Sequence, residues 1–395
     1  MQHYDVTIIG GGIAGAGVAQ AAAAAGYRVL LIEKGEFAKQ TSASSSKLIH
    51  GGLRYLESGQ INLVYSALKE RRALLNLAPD LVKPIPFYIP VYQHSLRGKW
   101  LLRAGLFLYQ CLCFGDKLSE FSELNKKDWS SLSGLKTDGL KAVFQYWDAQ
   151  TDDHFLALAV LNSAEKLGAS LLADTTLSHC QANANGYQLS YHRNNCADDL
   201  TLVQTSMIIN AAGPWVNQIL RLLAPNIDEY PMDWVQGTHI EIAVPALSHI
   251  YYLESHLDDR VIFVMPWRGH TLVGTTEHVL KNLPDKITAT DAEVDYLMAI
   301  FQHGFPEYQN IRPQIINVFA GVRVLPKAQG KAFNRQRESV IYQDATQPTI
   351  ISLYGGKLTT FRATSKKVLK KIASQLGKKQ AIANIDELPL TNPKR

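Results

Sequence analysis

A glycine-rich turn near the N-terminus restricts the fold of this chain more than any other feature of its sequence. Residues 4–10 (YDVTIIG) are mostly apolar, which is typical of a buried strand. Residues 10–15 (GGGIAG) lead into an alanine-rich run, and residues 28–33 (RVLLIE) form a second apolar stretch that ends in an acid. Strand, glycine turn, helix and strand in this order are typical of the βαβ unit that binds dinucleotides.

Each residue of the turn has a physical role in such a unit. Gly10 allows the tight turn, Gly12 lets a pyrophosphate approach the backbone, and Gly15 lets the helix pack closely on the strand. The pyrophosphate would lie at the N-terminus of the helix, where the dipole favours negative charge. Glu33 is placed to accept hydrogen bonds from a ribose diol. The alternative is an ordinary glycine turn in an α/β domain.

Three later segments favour FAD over NAD as the dinucleotide. Residues 34–46 are rich in hydroxyl groups and directly follow the acid, where a flavin enzyme sends its chain toward the cofactor. Residues 206–215 (SMIINAAGPW) resemble an apolar strand that ends in small residues and can lie against FAD. Residues 350–362 (IISLYGGKLTTFR) resemble a strand, a glycine turn and a helix start, whose dipole would stabilise the negative charge of a reduced flavin.

Residues 41–57 (TSASSSKLIHGGLRYLE) combine hydroxyl groups, cations, paired glycines and aromatic side chains in one short run. The paired glycines lie among charged and aromatic side chains, namely those of Lys47, His50, Arg54 and Tyr55. This arrangement is not typical of a surface loop without a binding role. We therefore interpret this segment as a loop that closes over a flavin ring and an anionic substrate.

The chain resembles the FAD-dependent glycerol-3-phosphate dehydrogenases, members of the wider group of D-amino-acid-oxidase-like flavoproteins. The resemblance extends to about residue 377 and rests on blocks in the family's order and spacing: GGGIAGAG, TSASSSKLIHGGLRYLE, NAAGPW, QGTHIEI, DDRVIFVMPW, VGTTE, FAGVRVLP and YGGKLTTFRA. Family members usually continue into a C-terminal helical domain, whereas this sequence stops at Arg395. The resemblance therefore implies a member that lacks this domain.

The resemblance implies oxidation of sn-glycerol 3-phosphate to dihydroxyacetone phosphate at FAD, with the electrons passed to a quinone or a similar acceptor. Two alternatives stay open. One is a related flavin oxidase or dehydrogenase that acts on an amino acid or a 2-hydroxy acid, and the other is a flavin-binding relic without turnover. A carboxylate substrate needs one facing arginine, whereas a phosphate dianion needs several cations. No metal is implied.

The resemblance also implies a set of site residues. Those implied to bind FAD are Gly10, Gly12, Ile13, Ala14, Gly15, Glu33, Lys34, Thr41, Ser42, Ser45, Ser46, Lys47, Leu48, His50, Ala212, Gly213, Gly321, Gly356, Lys357, Leu358 and Thr359. Those implied to bind the substrate are Arg54, Tyr55, Arg323, Arg337 and Lys357. Those implied in catalysis are His239, Lys357, Arg323 and His50.

Some of these assignments have simpler alternatives. The sequence does not choose between His239, Lys357 and an arginine as the base that accepts the hydroxyl proton. Arg337 lies in a polar run and is equally interpreted as a solvated surface group. His50 and His239 can be buried histidines whose hydrogen bonds are satisfied within the fold.

The predicted fold class is α/β, with a discontinuous Rossmann-like FAD-binding domain and a second, antiparallel-sheet substrate domain. The FAD-binding domain is expected at residues 1–85, 150–220 and 320–377, the substrate domain at 86–149 and 221–319, and a tail at 378–395. Alternating apolar runs at residues 237–244, 260–266 and 271–275 predict strands of the second domain. Residues 152–168 predict an amphipathic helix packed on the nucleotide-binding sheet.

Composition sets the remaining limits. With 46% hydrophobic and 19% charged residues the chain is globular and long enough for two packed layers. Its net charge of +5 suits an anionic substrate or membrane surface, and no nucleic-acid partner is expected. The four cysteines form no CxxC pair or metal-ligand spacing, and the first residues carry no signal-peptide pattern. These features predict a cytoplasmic protein with free thiols.

Residues 93–115 (QHSLRGKWLLRAGLFLYQCLCFG) have two interpretations. They are dense in Leu, Phe, Trp and Tyr, carry Arg97, Lys99 and Arg103 at the front, and are too short and too charged to span a bilayer. A basic, aromatic amphipathic helix can lie in the membrane interface. The segment resembles the monotopic bacterial members of the family in this respect, which implies peripheral association with the inner face of the cytoplasmic membrane. The alternative is a buried helix of the substrate domain.

Overall fold

Two β-sheets organise the computed structural model, which describes residues 1–113, 115–116, 118–196, 199–224, 226–310, 312–327 and 338–393. The strands, numbered in chain order, are β1 (Gln2–Ile9), β2 (Val29–Ile32), β3 (Leu48–Ile49), β4 (Val82–Tyr92), β5 (Ser122–Glu123), β6 (Leu140–Thr151), β7 (Ser170–Leu172), β8 (Thr175–Asn183), β9 (Gly186–Arg193), β10 (Thr201–Asn210), β11 (Leu223–Ala224), β12 (Met232–Ile242), β13 (Ile250–Glu254), β14 (Val261–Trp267), β15 (His270–Gly274), β16 (His278–Leu280), β17 (Ile315–Pro326), β18 (Val340–Gln343) and β19 (Ile350–Tyr354). The α-helices are α1 (Ile13–Ala24), α2 (Ile61–Leu77), α3 (Lys99–Leu112), α4 (Asp153–Lys166), α5 (Val216–Leu220), α6 (Asp291–Gly304) and α7 (Phe361–Leu376).

The first sheet contains the βαβ unit that the glycine turn predicts. Its parallel core runs in the order β7, β2, β1, β10 and β19. β1 pairs in parallel with β2 from Val6↔Val29 to Ile9↔Ile32, and α1 connects the two strands. Both strands are almost entirely buried, as expected for parallel strands that are covered on two faces. The predicted α/β fold class is confirmed.

Helix α1 is rich in alanine because it is enclosed on all sides. It is buried from Gly15 to its last residue and contacts both α4 and α7. A Cβ atom at Gly17 would lie 2.5 Å from the hydroxyl oxygen of Ser365 on α7, so larger side chains cannot be accommodated here. The predicted helix at residues 152–168 is observed as α4.

The second sheet is mainly antiparallel. Its strands follow the order β16, β12, β15, β14, β13, β4, β6 and β3, with β17 added to β12 and β5 added to β6. The three predicted strands are observed as β12, β14 and β15. Its two longest pairings join β12 to β17, from Met232↔Pro326 to Ile242↔Ile315, and β4 to β6, from Val82↔Thr151 to Tyr92↔Leu140. Helix α6 packs against β12 and contributes to the apolar core on that side of the sheet.

The predicted division into two domains stays a prediction, and three of its boundaries fall inside strands. They lie within β4 (residues 85 and 86), β6 (149 and 150) and β17 (319 and 320), and all three strands belong to the second sheet. Residues 378–393 of the predicted tail contact the C-terminal ends of α1 and α2. The amide of Ile382 donates to the carbonyl of Ala24 (2.8 Å), and that of Leu390 donates to the carbonyl of Leu77 (2.7 Å).

Candidate active site

A cleft of about 1020 Å³ brings together almost all of the predicted site residues. Those that line it are Gly10, Gly12, Ile13, Ala14, Glu33, Lys34, Thr41, Ser42, Ser45, Ser46, Leu48, His50, Arg54, Tyr55, Ala212, Gly213, His239, Gly321, Arg323, Gly356, Lys357, Leu358 and Thr359. Gly15 and Lys47 do not line the cleft, and Arg337 lies outside the described residues. This volume is at the upper end of the range for clefts that bind small molecules.

The N-terminus of α1 lies at one end of this cleft. Its N-cap residue, Gly12, has no side-chain cap, and Gly10 adopts a φ of +109° that favours glycine. A Cβ atom at Gly15 would lie 1.9 Å from the carbonyl oxygen of Gly10, which explains why this position packs behind the turn. The carboxylate of Glu33 accepts from the amides of Gly11 (2.6 Å) and Gly35 (2.9 Å). This end therefore offers helix amides and an acid to a dinucleotide.

Residues 41–47, here named the cofactor loop, are held by a carboxylate that the sequence analysis missed. Asp153, fully buried at the start of α4, accepts from the amide (2.9 Å) and hydroxyl (2.7 Å) of Ser45. It also accepts from Nζ of Lys47 at 2.6 Å, and Lys47 donates to the carbonyl of Ala43 at 2.5 Å. The ammonium group of Lys47 therefore anchors the cofactor loop to Asp153. The predicted role of Lys47 in binding FAD stays a prediction.

Residues 50–57, here named the substrate loop, place two cations around one aromatic ring. Nζ of Lys357 lies 3.7 Å from the ring centre of Tyr55, and Cζ of Arg54 lies 5.3 Å from it. Such contacts stabilise cations in a partly desolvated site. The amide of His50 donates to the hydroxyl of Thr359 (3.3 Å), which joins the substrate loop to the turn before α7.

Arg323 enters the cleft from β17 and is oriented by the turn after β15. Its guanidinium group donates to Glu277 (3.1 Å), to the hydroxyl of Thr275 (3.1 Å) and to the carbonyl of Thr276 (3.2 Å). Glu277, to which the sequence analysis assigned no role, also lines the cleft. Its signal was the acid that closes the VGTTE block. The cleft therefore holds an acceptor for hydroxyl groups beside a cation for anions.

His239 lies on β12 with its ring buried in the wall of the cleft. Its Nε2 atom is 3.0 Å from the hydroxyl oxygen of Ser46, and its ring stacks on Phe319 with 5.0 Å between ring centres. Burial, together with the positive charges of Lys47 and Arg323, holds the pKa of His239 well below its usual range. The imidazole is therefore neutral at pH 7. Within the described residues its Nδ1 atom has no hydrogen-bond partner.

The residues present fit FAD. A pyrophosphate fits the N-terminus of α1, where Gly12 adds no side chain and the hydroxyl of Ser42, which accepts from the amide of Ile13 at 2.9 Å, lies at the same turn. A second turn, at Gly355 and Gly356, leads from β19 to α7 and presents Lys357 and Thr359 to the same cleft. Glu33, at the same end as the N-terminus of α1, suits a ribose diol.

Comparisons with known proteins agree with this geometry. A family model described as FAD dependent oxidoreductase matches residues 5–360. The chain is 36% identical over 395 residues to a glycerol-3-phosphate dehydrogenase of Synechocystis sp., which covers 94% of this chain and 70% of that protein. It is also 36% identical over 384 residues to a D-erythritol 1-phosphate dehydrogenase of Brucella abortus, with coverages of 94% and 75%.

A solved structure supports the fold. The glycerol-3-phosphate dehydrogenase of Bacillus halodurans, complexed with FAD, superimposes with a TM-score of 0.77 at 22% identity, over 98% of this chain and 68% of that one. The family predicted from the sequence blocks is confirmed, and FAD is the cofactor of the family. The chain belongs to the FAD-dependent glycerol-3-phosphate dehydrogenase family, within the D-amino-acid-oxidase-like oxidoreductases.

Proposed function

We propose that this enzyme oxidises sn-glycerol 3-phosphate to dihydroxyacetone phosphate. The observation that carries the proposal is the set of three cations, Arg54, Arg323 and Lys357, that line one cleft with the neutral imidazole of His239. A phosphate dianion needs several cations, and the planar fork of arginine binds two of its oxygens at once. The relatives named glycerol-3-phosphate dehydrogenase support the same substrate.

The protein residues divide the work of substrate binding and proton transfer. Bound FAD supplies the acceptor for the hydride that leaves C2 of the substrate. Arg54 and Lys357 each bind either the phosphate of the substrate or the oxygen on its C2 atom. The carboxylate oxygens of Glu277 suit a hydrogen bond from a free hydroxyl group of the substrate. His239 accepts the proton of the C2 hydroxyl. Its Nε2 atom lies 3.0 Å from the hydroxyl oxygen of Ser46, which lines the cleft, and in the tautomer with the proton on Nδ1 this Nε2 atom is the acceptor.

The position of His239 predicts an unusual acid limit for the reaction. A histidine with an ordinary pKa would lose its acceptor form near pH 6.5, whereas the depressed pKa of His239 keeps the ring neutral at lower pH. We therefore expect the rate of flavin reduction at saturating substrate to stay constant from about pH 8 to about pH 6.5 and to fall only below that. Stopped-flow measurements of flavin absorbance test this expectation, and His239→Gln should be slower throughout. An acid limb centred at or above pH 6.5 would contradict it.

Substrate-dependent bleaching of the flavin is the test of the proposed function. The FAD-loaded protein is mixed without oxygen with glycerol 3-phosphate, D-erythritol 1-phosphate, glycine, sarcosine or 2-hydroxyglutarate. Bleaching by glycerol 3-phosphate supports the proposal, and stronger bleaching by the erythritol ester would move the assignment to longer polyol phosphates. Bleaching by a carboxylate alone would move it to the amino-acid or 2-hydroxy-acid enzymes. No bleaching by any compound would favour the relic.

We further propose that the electrons pass to a quinone at a membrane surface, with α3 as the contact. Helix α3 buries Leu102, Leu106 and Tyr109 but leaves large apolar side chains on its outer face in solvent. These are Trp100, Leu101, Phe107 and Leu108, and Leu96 precedes them in the chain. An apolar face of this size on a surface helix suits the boundary of headgroups and acyl chains. Among the described residues, no helix is both long and apolar enough to cross a bilayer.

The positive charges near α3 are expected to contribute less to membrane binding than the sequence suggests. Lys99 (2.6 Å) and Arg103 (3.5 Å) both pair with Glu123, and Arg97 is buried between Glu57 and Glu254. The contact is therefore expected to depend on apolar burial more than on attraction to anionic lipid, and hence only weakly on salt.

Replacing Phe107 with glutamate should weaken the binding of phospholipid vesicles by about tenfold or more, because a large apolar side chain no longer enters the bilayer. Ile382→Glu is the matched control, since Ile382 and Phe107 are both 61% exposed but Ile382 is not part of α3. Co-sedimentation with neutral and with anionic vesicles measures the effect. Equal losses in the two variants, or binding by anionic vesicles alone, would exclude the apolar face as the contact.

A further inference from the structure

A buried network of charges lies beneath the substrate loop without lining the cleft. The guanidinium group of Arg71, on α2, is fully buried and donates to Asp148 (2.7 Å), to Asp116 (2.7 Å) and to the carbonyl of Trp147 (2.9 Å). Asp148, on β6, is fully buried as well. Burial raises the pKa of its carboxyl group, and Arg71 opposes this shift. Burying such charges is costly, so the network must be held by precise contacts.

Tyr109 connects this network to the substrate loop. Its hydroxyl group, on the buried side of α3, donates to Asp148 at 2.7 Å. The same oxygen accepts from the amide of Gly51 at 3.0 Å, and that amide is also 3.4 Å from the other oxygen of Asp148. A Cβ atom at Gly51 would lie 2.4 Å from the Tyr109 hydroxyl and 2.6 Å from Leu68, so the loop backbone rests directly on these side chains.

Gly51, where Tyr109 contacts the substrate loop, is close in the chain to the proposed site residues. Gly51 follows His50, and the short helix that carries Arg54 and Tyr55 begins two residues later. Gly52 between them has a φ of +78°, so the direction of the chain from Gly51 to Arg54 is set at this turn. A displacement of the Gly51 amide would therefore move the guanidinium group of Arg54 in the cleft.

We propose that Tyr109, oriented by Asp148 and Arg71, is a positioning residue that fixes the substrate loop and thereby the phosphate contact of Arg54. The inference rests on the proposed function in that Arg54 is taken to bind the phosphate of the substrate. Tyr109 itself touches neither cofactor nor substrate, since it does not line the cleft. Its hydroxyl group acts by holding the Gly51 amide.

Tyr109→Phe removes only this hydroxyl group and leaves the packed ring in place. We expect KM for glycerol 3-phosphate to rise by about fivefold or more, with kcat changed by less than about twofold, as for the loss of one buried hydrogen bond that supports binding. The dissociation constant of inorganic phosphate, followed by the absorbance change of the FAD-loaded protein, should rise by a similar factor. FAD content should not change.

Tyr92→Phe is the control, because the hydroxyl group of the half-buried Tyr92 donates to the carbonyl of Lys136 (2.8 Å) away from the substrate loop. It should leave KM and phosphate binding as in the parent protein. A double-mutant cycle with Arg54→Lys separates positioning from general support of the fold. If Tyr109 acts through Arg54, Tyr109→Phe should raise KM little further in the Arg54→Lys background.

Three results would overturn the inference. They are an unchanged KM and phosphate affinity in Tyr109→Phe, additive effects with Arg54→Lys, or a loss of FAD or kcat as large as the rise in KM. The proposed function can fail separately, because it is excluded by the absence of flavin bleaching with glycerol 3-phosphate in the parent protein. The phosphate-binding measurement still tests Tyr109 in that case.

Discussion

Lys357→Met is expected to slow the reduction of bound FAD by glycerol 3-phosphate by about 10²–10³-fold, the usual loss when one preorganised electrostatic contact is removed from an active site. Lys357 follows the paired glycines after β19 and places Nζ 3.7 Å from the ring of Tyr55, beside the substrate loop. Its charge would stabilise both the reacting oxygen and the negative charge of the reduced flavin. Methionine keeps most of the unbranched apolar stem and removes the ammonium group with its charge and hydrogen-bond donors.

The measurement is the single-turnover rate of flavin bleaching under anaerobic conditions. Lys367→Met provides the control, since Lys367 lies exposed on α7 and does not line the cleft. It should reduce FAD at the parent rate. Should the two variants bleach at the same rate, Lys357 would have no part in the reaction. A raised KM with an unchanged limiting rate would leave it a binding role alone.

Asp153→Ala should lower the free energy of unfolding by about 3–5 kcal/mol, because it leaves the buried ammonium group of Lys47 without its counter-charge. The amide and hydroxyl of Ser45 lose their acceptor at the same time. Since these groups shape the cofactor loop, FAD content should fall with stability.

Urea denaturation of the FAD-free and FAD-loaded forms measures both effects. Asp152→Ala is the comparison, because Asp152 is the N-cap of α4 and is bonded to the amide of Phe155 and to exposed Arg268. Loss of an N-cap costs about 1 kcal/mol. Equal destabilisation by the two substitutions would mean that the Lys47–Asp153 pair is not what holds the loop.

The sequence predicts the nucleotide end of the cleft well because its signals are local. The glycines of the first turn, the apolar runs of β1 and β2 and the acid Glu33 all lie within the first βαβ unit, where spacing alone determines their geometry. The same holds for the glycine turn before α7. The observed strands and helix start therefore agree with the predicted ones.

The supporting contacts could not be predicted in this way, because their partners are far apart in the chain. Lys47 and Asp153 are separated by 106 residues, and Arg71 and Asp148 by 77. One feature of the sequence indicates that Arg71 is buried. Arg71 occupies a position in the apolar stripe of α2 that includes Val64, Leu68 and Leu74, where a charge implies a buried partner.

The domain boundaries were predicted from sequence motifs. These motifs mark residues that line the cleft, whichever of the two sheets the residues belong to. The block FAGVRVLP contacts the cleft through Gly321 and Arg323, yet it forms part of β17 in the second sheet. Likewise, Lys99 and Arg103 were interpreted as a basic cluster because Glu123, which pairs with both, lies beyond the helix that carries them.

The anchoring of the cofactor loop by Asp153 has a consequence for how the holoenzyme assembles. The carboxylate, the ammonium group and the Ser45 hydroxyl that fix this loop all belong to the protein, so we expect the loop to keep its shape without the flavin. FAD then enters a preorganised groove and loses little affinity to the ordering of the polypeptide. We therefore expect the folded apoprotein to bind FAD without further ordering of the cofactor loop.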